Sequence, residues 1–388
     1  IEWLYGSYGN DTLTGDGGDN LVYGDTGNDT ISGGGGNDTL NGGAGSDIVV
    51  FSGKRADYQI SYDTASSTYT FIDTRAGSPD GTDSVAGFET YRFSDGDVTN
   101  IMFGTSGNDA FNGTSGNDLM VGLDGSDVLI ANEGNDVLLG GDGNDALIGG
   151  SGADVLNGGS GNDWAMYLWD SYVYATNQAI NTAGVTANLA NPSLNTGSAA
   201  GDTYIGIEWL YGSYGNDTLT GDGGDNLVYG DTGNDTISGG GGNDTLNGGA
   251  GNDTLNGGAG YDIYQFGRGG GQDGIVNGIG AGTAAGELDI SAGVATNQLW
   301  LQRSGNDLLL EIMGSQDRIT VAGWYSSPSA QLQKVVSSDG SILDTQIDQL
   351  VQAMATYSSN HAGFDPATTS QAPNDTSLQS TIAAAWHQ

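Results

Sequence analysis

Cysteine is absent from the 388 residues, so the fold has neither disulfides nor thiolate metal sites. Cations are scarce as well. Eight Lys and Arg face 48 Asp and Glu, a formal net charge of −40. Phosphate recognition needs clustered Lys and Arg, so nucleic acid is excluded as a direct partner and anionic membrane surfaces are disfavoured. The two histidines, His361 and His387, lie in the C-terminal tail, which leaves none for a zinc site or catalytic triad elsewhere. No apolar run approaches the ~18 residues of a membrane span, and the first residues do not read as a signal peptide. No nucleophile elbow, phosphate loop or zinc-protease helix occurs. Gly53-Lys54 lacks the upstream glycine and following hydroxyl of a phosphate loop, and Asp95 and Asp97 read as turn residues. Glutamate is rare too, six residues against 42 Asp. That ratio favours turns over charged helices.

Glycine is what the chain has instead, 71 residues of it. Low complexity and high charge suggest disorder, but a nine-residue period contradicts it. Residues 33–41 read GGGGNDTLN and residues 42–50 read GGAGSDIVV, giving the frame Gly-Gly-x-Gly-x-Asp-x-U-x with U a large apolar residue. Five repeats fill 6–50, seven fill 104–166 and six fill 212–265. The sixth position is Asp in 16 of these 18, with Asn20 and Asn226 as the exceptions, and the eighth is apolar or aromatic throughout, as at Leu13, Val22, Ile31, Leu40 and Val49. The x-U-x triplet is too short for a helix and predicts a minimal strand with U pointing inward. The Gly-rich hexad predicts a turn, glycine permitting positive φ and close backbone approach. Two repeats then make one 18-residue coil. Strands stacked at about 4.8 Å would make the longest block some 17 Å tall, with open edges that need caps.

At these residues the chain resembles the repeats-in-toxin (RTX) family of secreted calcium-binding proteins, whose nonapeptide is a solenoid signature. The resemblance implies an all-β fold: a parallel β-roll (right-handed β-helix) solenoid in blocks, separated by small β spacers and followed by a C-terminal β segment and a short helix. It also implies multiple calcium ions, each held between turns two repeats apart by both sixth-position Asp side chains, as for Asp29 and Asp47, and by turn carbonyls. The metal ligands expected on that basis are Asp11, Asp29, Asp38, Asp47, Asp109, Asp118, Asp127, Asp136, Asp145, Asp154, Asp163, Asp217, Asp235, Asp244, Asp253 and Asp262. With them go the carbonyls of Gly33, Gly34, Gly36, Gly140, Gly141, Gly143, Gly149, Gly150, Gly152, Gly239, Gly240, Gly242, Gly248, Gly249 and Gly251. Pairing repeats two apart predicts roughly twelve ions, weaker where Asn20 or Asn226 takes part. Twelve would bring the charge from −40 to about −16.

All eight bases fall outside the arrays. Residues 1–50, 104–166 and 212–265 are therefore expected as β-roll blocks, and 51–103 and 167–211 as spacers packed on roll ends. DYQISYD and TYTFIDT in the first spacer alternate like a hairpin. GTDSVAGFETYRFSDGD and the second spacer's GVTANLANPSLNTGSAAGDTYIGIEWL resemble spacers common in large RTX proteins. The aromatics Trp164, Tyr167, Trp169, Tyr172 and Tyr174, with Trp209, Tyr211 and Tyr214, read as cap and spacer core rather than a sugar-stacking platform. Residues 266–340 form a β capping segment that looks like the domain closing many RTX arrays, with SGND at 304–307 as a hairpin turn. Residues 341–388 begin with an amphipathic helix that presents Ile347, Leu350, Val351 and Met354 on one face. They end in STIAAAWHQ, and together they resemble an uncleaved type I export signal.

Residues 1–45 are identical to 207–251, a recent duplication. The first copy begins mid-phrase, so a longer parent protein is expected. These features point to a non-catalytic, secreted calcium-binding structural protein at the surface of, or outside, a Gram-negative bacterium: a surface layer, adhesin stalk or filament. Its expected partners are calcium, itself or a cell-surface component, and the type I secretion apparatus during export. The alternative is the secretion module of a larger extracellular lipase, protease or polysaccharide epimerase.

Overall fold

The computed structural model describes residues 2–63, 65–171, 179–180, 182–277 and 285–387. Each nonapeptide of the first array contributes one three-residue strand, Thr12–Thr14, Leu21–Tyr23, Thr30–Ser32, Thr39–Asn41 and Ile48–Val50, and some strands of the later arrays run on into the turn, as at Asp118–Asp124. Successive strands alternate between two sheets, and pairing within a sheet is parallel at a step of 18 residues: Leu21↔Thr39 in one, Thr12↔Thr30 in the other. The eighth-position side chains meet between the sheets, with Val22, Ile31 and Val49 fully buried. One apolar residue in nine suffices because its neighbours above and below are also apolar, so the stack forms a continuous core. This is a parallel β-roll.

The first spacer rejoins the roll it follows. Tyr58–Asp63 and Thr68–Asp73 form the hairpin, and Thr82–Ala86 runs antiparallel to the latter while pairing in parallel with Thr39–Asn41. Thr90–Phe93 stacks on Ile48–Val50, and Gly96–Val98 turns back against it. The C-terminal rungs of the first array are thus covered, and Phe51, Phe71 and Phe93 close that core, Phe51 stacking on Phe71 at 4.5 Å.

The second and third arrays are not separate blocks. Trp209–Tyr211 pairs directly with Trp164–Met166, so one sheet of eleven strands runs from Ala110–Asn112 to Ile342–Leu343. Ten steps of ~4.8 Å give a height near 48 Å, well beyond the 17 Å expected of a single array. The opposite side is interrupted: one sheet ends at Thr203–Ile205 and the next begins at Thr186–Asn188. A single core runs through both arrays into the C-terminal segment. The Trp164 and Trp209 rings meet at 4.9 Å, and Tyr167 is buried beside the joint. Tyr172 and Tyr174 lie outside the described residues.

Identical sequence acquires different surroundings here. Trp3, Tyr5 and Tyr8 are 65%, 61% and 86% exposed, whereas their copies Trp209 and Tyr211 are covered by the second array.

The C-terminal segment continues both sheets. Gln272–Ile275 and Arg318–Val321 extend one, Tyr261–Phe266, Ala285–Ile290 and Lys334–Val336 the other. SGND turns the hairpin between Leu299–Ser304 and Asp307–Ile312. Helix Ile347–Asn360 buries Ile347, Leu350, Val351 and Met354. A second helix, Thr376–Ala385, is capped by Asp375, whose Oδ1 accepts the Leu378 N–H at 2.9 Å, and it buries Leu378 and Ile382. Sequence reading anticipates only the first helix, because the second depends on docking its few apolar residues. Among the described residues no helix is long and apolar enough to cross a membrane.

Candidate metal centre

A hydrogen-bond ladder runs along each edge of the roll. The N–H of Asp11 donates to Asp29 Oδ1 at 2.8 Å, and the N–H of Asp29 to Asp47 Oδ1 at 2.7 Å. The same bond joins Asp127 to Asp145, Asp136 to Asp154 and Asp235 to Asp253, each at 2.8 Å. One oxygen of each carboxylate therefore holds the coil before it.

The other oxygen divides the repeats into two kinds. In Asp29, Asp38, Asp47, Asp127, Asp136, Asp145, Asp154, Asp163, Asp235, Asp244, Asp253 and Asp262, Oδ2 is buried and has no hydrogen-bond partner. In these twelve repeats the second residue has positive φ, usually glycine (Gly34, +90°), but also Asp25, Leu123, Asn132 and Asp231. That conformation turns the second residue's N–H away from the carboxylate. In the six repeats that open each ladder, the second residue donates instead. Ser7 bonds Asp11 Oδ2 at 2.5 Å, and Thr105, Thr114 and Ser213 bond Asp109, Asp118 and Asp217 at 2.6 Å. Asp16 and Asp222 do the same for Asn20 and Asn226 at 2.8 Å. The structure thus separates the sixteen expected aspartates: twelve offer a buried oxygen, and Asp11, Asp109, Asp118 and Asp217 have theirs engaged.

Carbonyl oxygens complete the cradle. A Cβ added at Gly24 would collide with both Asp29 Oδ2 and the Gly42 carbonyl one coil on, and one at Gly140 with Asp145 Oδ2 and the Gly158 carbonyl. Glycine at the first position of a repeat therefore leaves the space toward which oxygens from two turns converge; in the repeat 131–139 Ala131 holds that position. Among the expected carbonyl donors, Gly140 and Gly248 face Oδ2 of Asp127 and Asp235 respectively. Gly42 and Gly158, which sequence reading leaves out, stand in the same relation to Asp29 and Asp145; their signal is position one of the repeat.

These carboxylates are held against their chemistry. Burial, reinforced by neighbouring carboxylates, pushes Asp136 and Asp235 up to about 8 and Asp244 to about 7, and burial raises Asp154 to about 6. A buried anion without a counter-charge is strongly disfavoured. Among the described residues no three His, Asp or Glu side chains cluster, so the donor set is carboxylates with carbonyls. All donors are hard oxygens in flexible number, which suits Ca²⁺ and suits Mg²⁺, with its strict octahedron, less well.

A parallel β-roll whose turns present carboxylate and carbonyl oxygens coil by coil defines a calcium-binding repeat protein. The model of the RTX calcium-binding nonapeptide repeat (4 copies) matches residues 1–31, 14–49, 96–129, 103–138, 130–165, 202–237 and 229–264. That of the haemolysin-type calcium binding protein related domain matches 307–346. The chain belongs to the RTX haemolysin-type calcium-binding repeat proteins. Among solved structures, the extracellular lipase LipA from Serratia marcescens is similar at 16% identity, with a TM-score of 0.24, over 83% of this chain and 38% of the lipase chain. This chain therefore spans well under half of that structure.

The division of turns carries an expected outcome. Replacing Asp11, Asp109, Asp118 and Asp217 together by Asn leaves the number of bound calcium ions unchanged in equilibrium dialysis, whereas Asp29→Asn with Asp145→Asn lowers it. Loss of ions from the first set would contradict the division.

Proposed function

We propose that the chain is a secreted, non-catalytic structural protein whose calcium-dependent folding builds an extracellular assembly: a surface layer, adhesin stalk or filament. The observation that carries this reading is the fusion of two arrays and the closing segment into one roll of eleven stacked strands. Coil stacking of this kind generates length and a rigid rod. The matched families are calcium-binding repeats.

Calcium ions, roughly one for each of the twelve open turns, act as counter-charges for buried carboxylates. In a calcium-poor cytoplasm those turns repel one another and the chain stays extended, suited to export by a type I apparatus that engages residues 341–388. Leu378 and Ile382, buried in the folded chain, are available to that apparatus only beforehand. Outside, millimolar calcium drives folding in place at the surface of a Gram-negative cell.

Electron microscopy of the calcium-loaded protein tests the assembly. Ordered lattices or filaments that dissolve on chelation are expected. Dispersed single particles at all concentrations would overturn the assembly role in favour of a calcium-binding module that serves a larger extracellular enzyme.

A further inference from the structure

Every open turn needs oxygens from the coil above it, and at the end of an array the next coil is no longer a repeat. We propose that five acids outside the nine-residue register, Asp83, Glu89, Asp202, Glu208 and Asp273, complete five of the twelve calcium sites there, so that the ion fastens each array to the segment that follows. The proposal rests on calcium occupying the open turns.

The ladder does not stop where the repeats do. The N–H of Asp38 donates to Asp83 Oδ1 at 2.9 Å and that of Asp47 to Glu89 Oε2 at 2.7 Å. Asp154 donates to Asp202 Oδ1 and Asp163 to Glu208 Oε2, both at 3.0 Å, and Asp253 to Asp273 Oδ1 at 2.9 Å. In each pair the acid takes the place of a sixth-position Asp one coil on. The donor residues Asp38, Asp47, Asp154, Asp163 and Asp253 are at most 2% exposed, and each keeps an unpartnered Oδ2.

The carbonyls follow suit. A Cβ at Gly42 would collide with the Gly87 carbonyl and crowd Asp47 Oδ2, and one at Gly158 with the Gly206 carbonyl and Asp163 Oδ2. The two spacers share the three-residue pattern Gly-apolar-Glu, Gly87-Phe88-Glu89 and Gly206-Ile207-Glu208, with the middle residue buried. Three residues replace a six-residue turn, and the extra methylene of Glu restores the reach that the shorter loop forfeits. The strand register is preserved: Thr90 after Glu89 pairs with Ile48, and Trp209 after Glu208 pairs with Trp164.

On the opposite edge, Gly81-Thr82-Asp83 and Gly271-Gln272-Asp273 reproduce positions four to six of a repeat. Thr82 and Gln272 donate their N–H groups to Asn37 and Asn252 at 2.9 Å, as Asn28 donates to Asn10 within an array. Two carboxylates brought together with an oxygen left over are a cation site rather than a pair of hydrogen-bond partners. The Asp163–Glu208 site has a particular consequence, because it lies at the joint between the second and third arrays.

The test uses the full chain with five substitutions, D83N, E89Q, D202N, E208Q and D273N. Each amide keeps an acceptor for the ladder bond and removes the charge. At calcium levels that saturate the wild type, equilibrium dialysis should find about seven bound ions instead of about twelve. In the E89Q/E208Q double variant, used should the fivefold chain not fold, about two ions are lost. Amide hydrogen exchange at Thr90–Phe93 and Trp209–Tyr211 then loses its calcium-dependent protection while the array interiors keep theirs. Unchanged ion number and unchanged protection in the double variant would overturn the junction sites and leave the repeat sites standing. A wild-type chain that binds no calcium would instead overturn the reading on which they rest.

Discussion

Chelation of the folded protein is expected to abolish most of its β-type circular dichroism, and millimolar calcium to restore it. The magnitude follows from the turns. Twelve buried carboxylate oxygens without hydrogen-bond partners face one another along two edges, and nothing else described in those turns opposes their charge, because all eight bases lie outside the arrays. A ligand at ten to a hundred times its dissociation constant stabilises by roughly 1.4–2.7 kcal/mol per site. A dozen such sites amount to about 20 kcal/mol, more than the roughly 5–15 kcal/mol that separates an ordinary domain from its unfolded state. Loss of the ions should therefore unfold the arrays rather than loosen them. The first spacer, with its Phe51, Phe71 and Phe93 core and the Arg75–Asp73 ion pair at 2.7 Å, is the element most able to keep residual structure. A chelated sample that retains its full spectrum would refute calcium-dependent folding.

Acid should substitute for calcium in part. Burial lifts Asp136 and Asp235 to about 8, Asp244 to about 7 and Asp154 and Asp163 to about 6, from an ordinary value of 3.8. The folded, ion-free chain thus holds protons that the unfolded chain has released. Stability from this source is fully present below the unfolded value near 4 and is lost as pH rises through 6 to 8. Chain dialysed free of calcium is expected to gain β structure on acidification from pH 8 to about 4.5. Calcium works the opposite way: protons compete for the same oxygens, so calcium binding to the acid-folded chain tightens as pH rises. Calcium added to the acid-folded, ion-free chain displaces the protons that chain holds, measurable by titration calorimetry in buffers of different ionisation enthalpy. Calcium binding to the acid-folded chain without proton release would show that these carboxylates are not the ligands.

Much of this was legible from residues alone. Leu13, Val22, Ile31, Leu40 and Val49 recur every nine positions because a strand and its turn occupy nine residues, and that period is a covalent property of the chain. The hairpin over Tyr58–Asp63 and Thr68–Asp73 and the buried face of helix Ile347–Asn360 were visible in the same way, as local alternation and helical spacing. Glu89 and Glu208 were not visible, since they lie 42 and 45 residues from Asp47 and Asp163, the residues they meet. Nor was the difference between Asp11 and Asp29, both sixth-position aspartates of one array. It depends on whether the second residue of the turn adopts positive φ and so withholds its N–H.

The sequence by itself determined the repeat, the two-sheet roll and the chemical type of the candidate oxygen donors, because each is written within nine to eighteen consecutive residues. The tertiary structure alone decided which oxygens remain unpartnered and which arrays join. Those outcomes depend on what stacks one coil away, and stacking is set by sheet register across spacers of irregular length. A local pattern specifies the rung; only the folded chain specifies the rung above it.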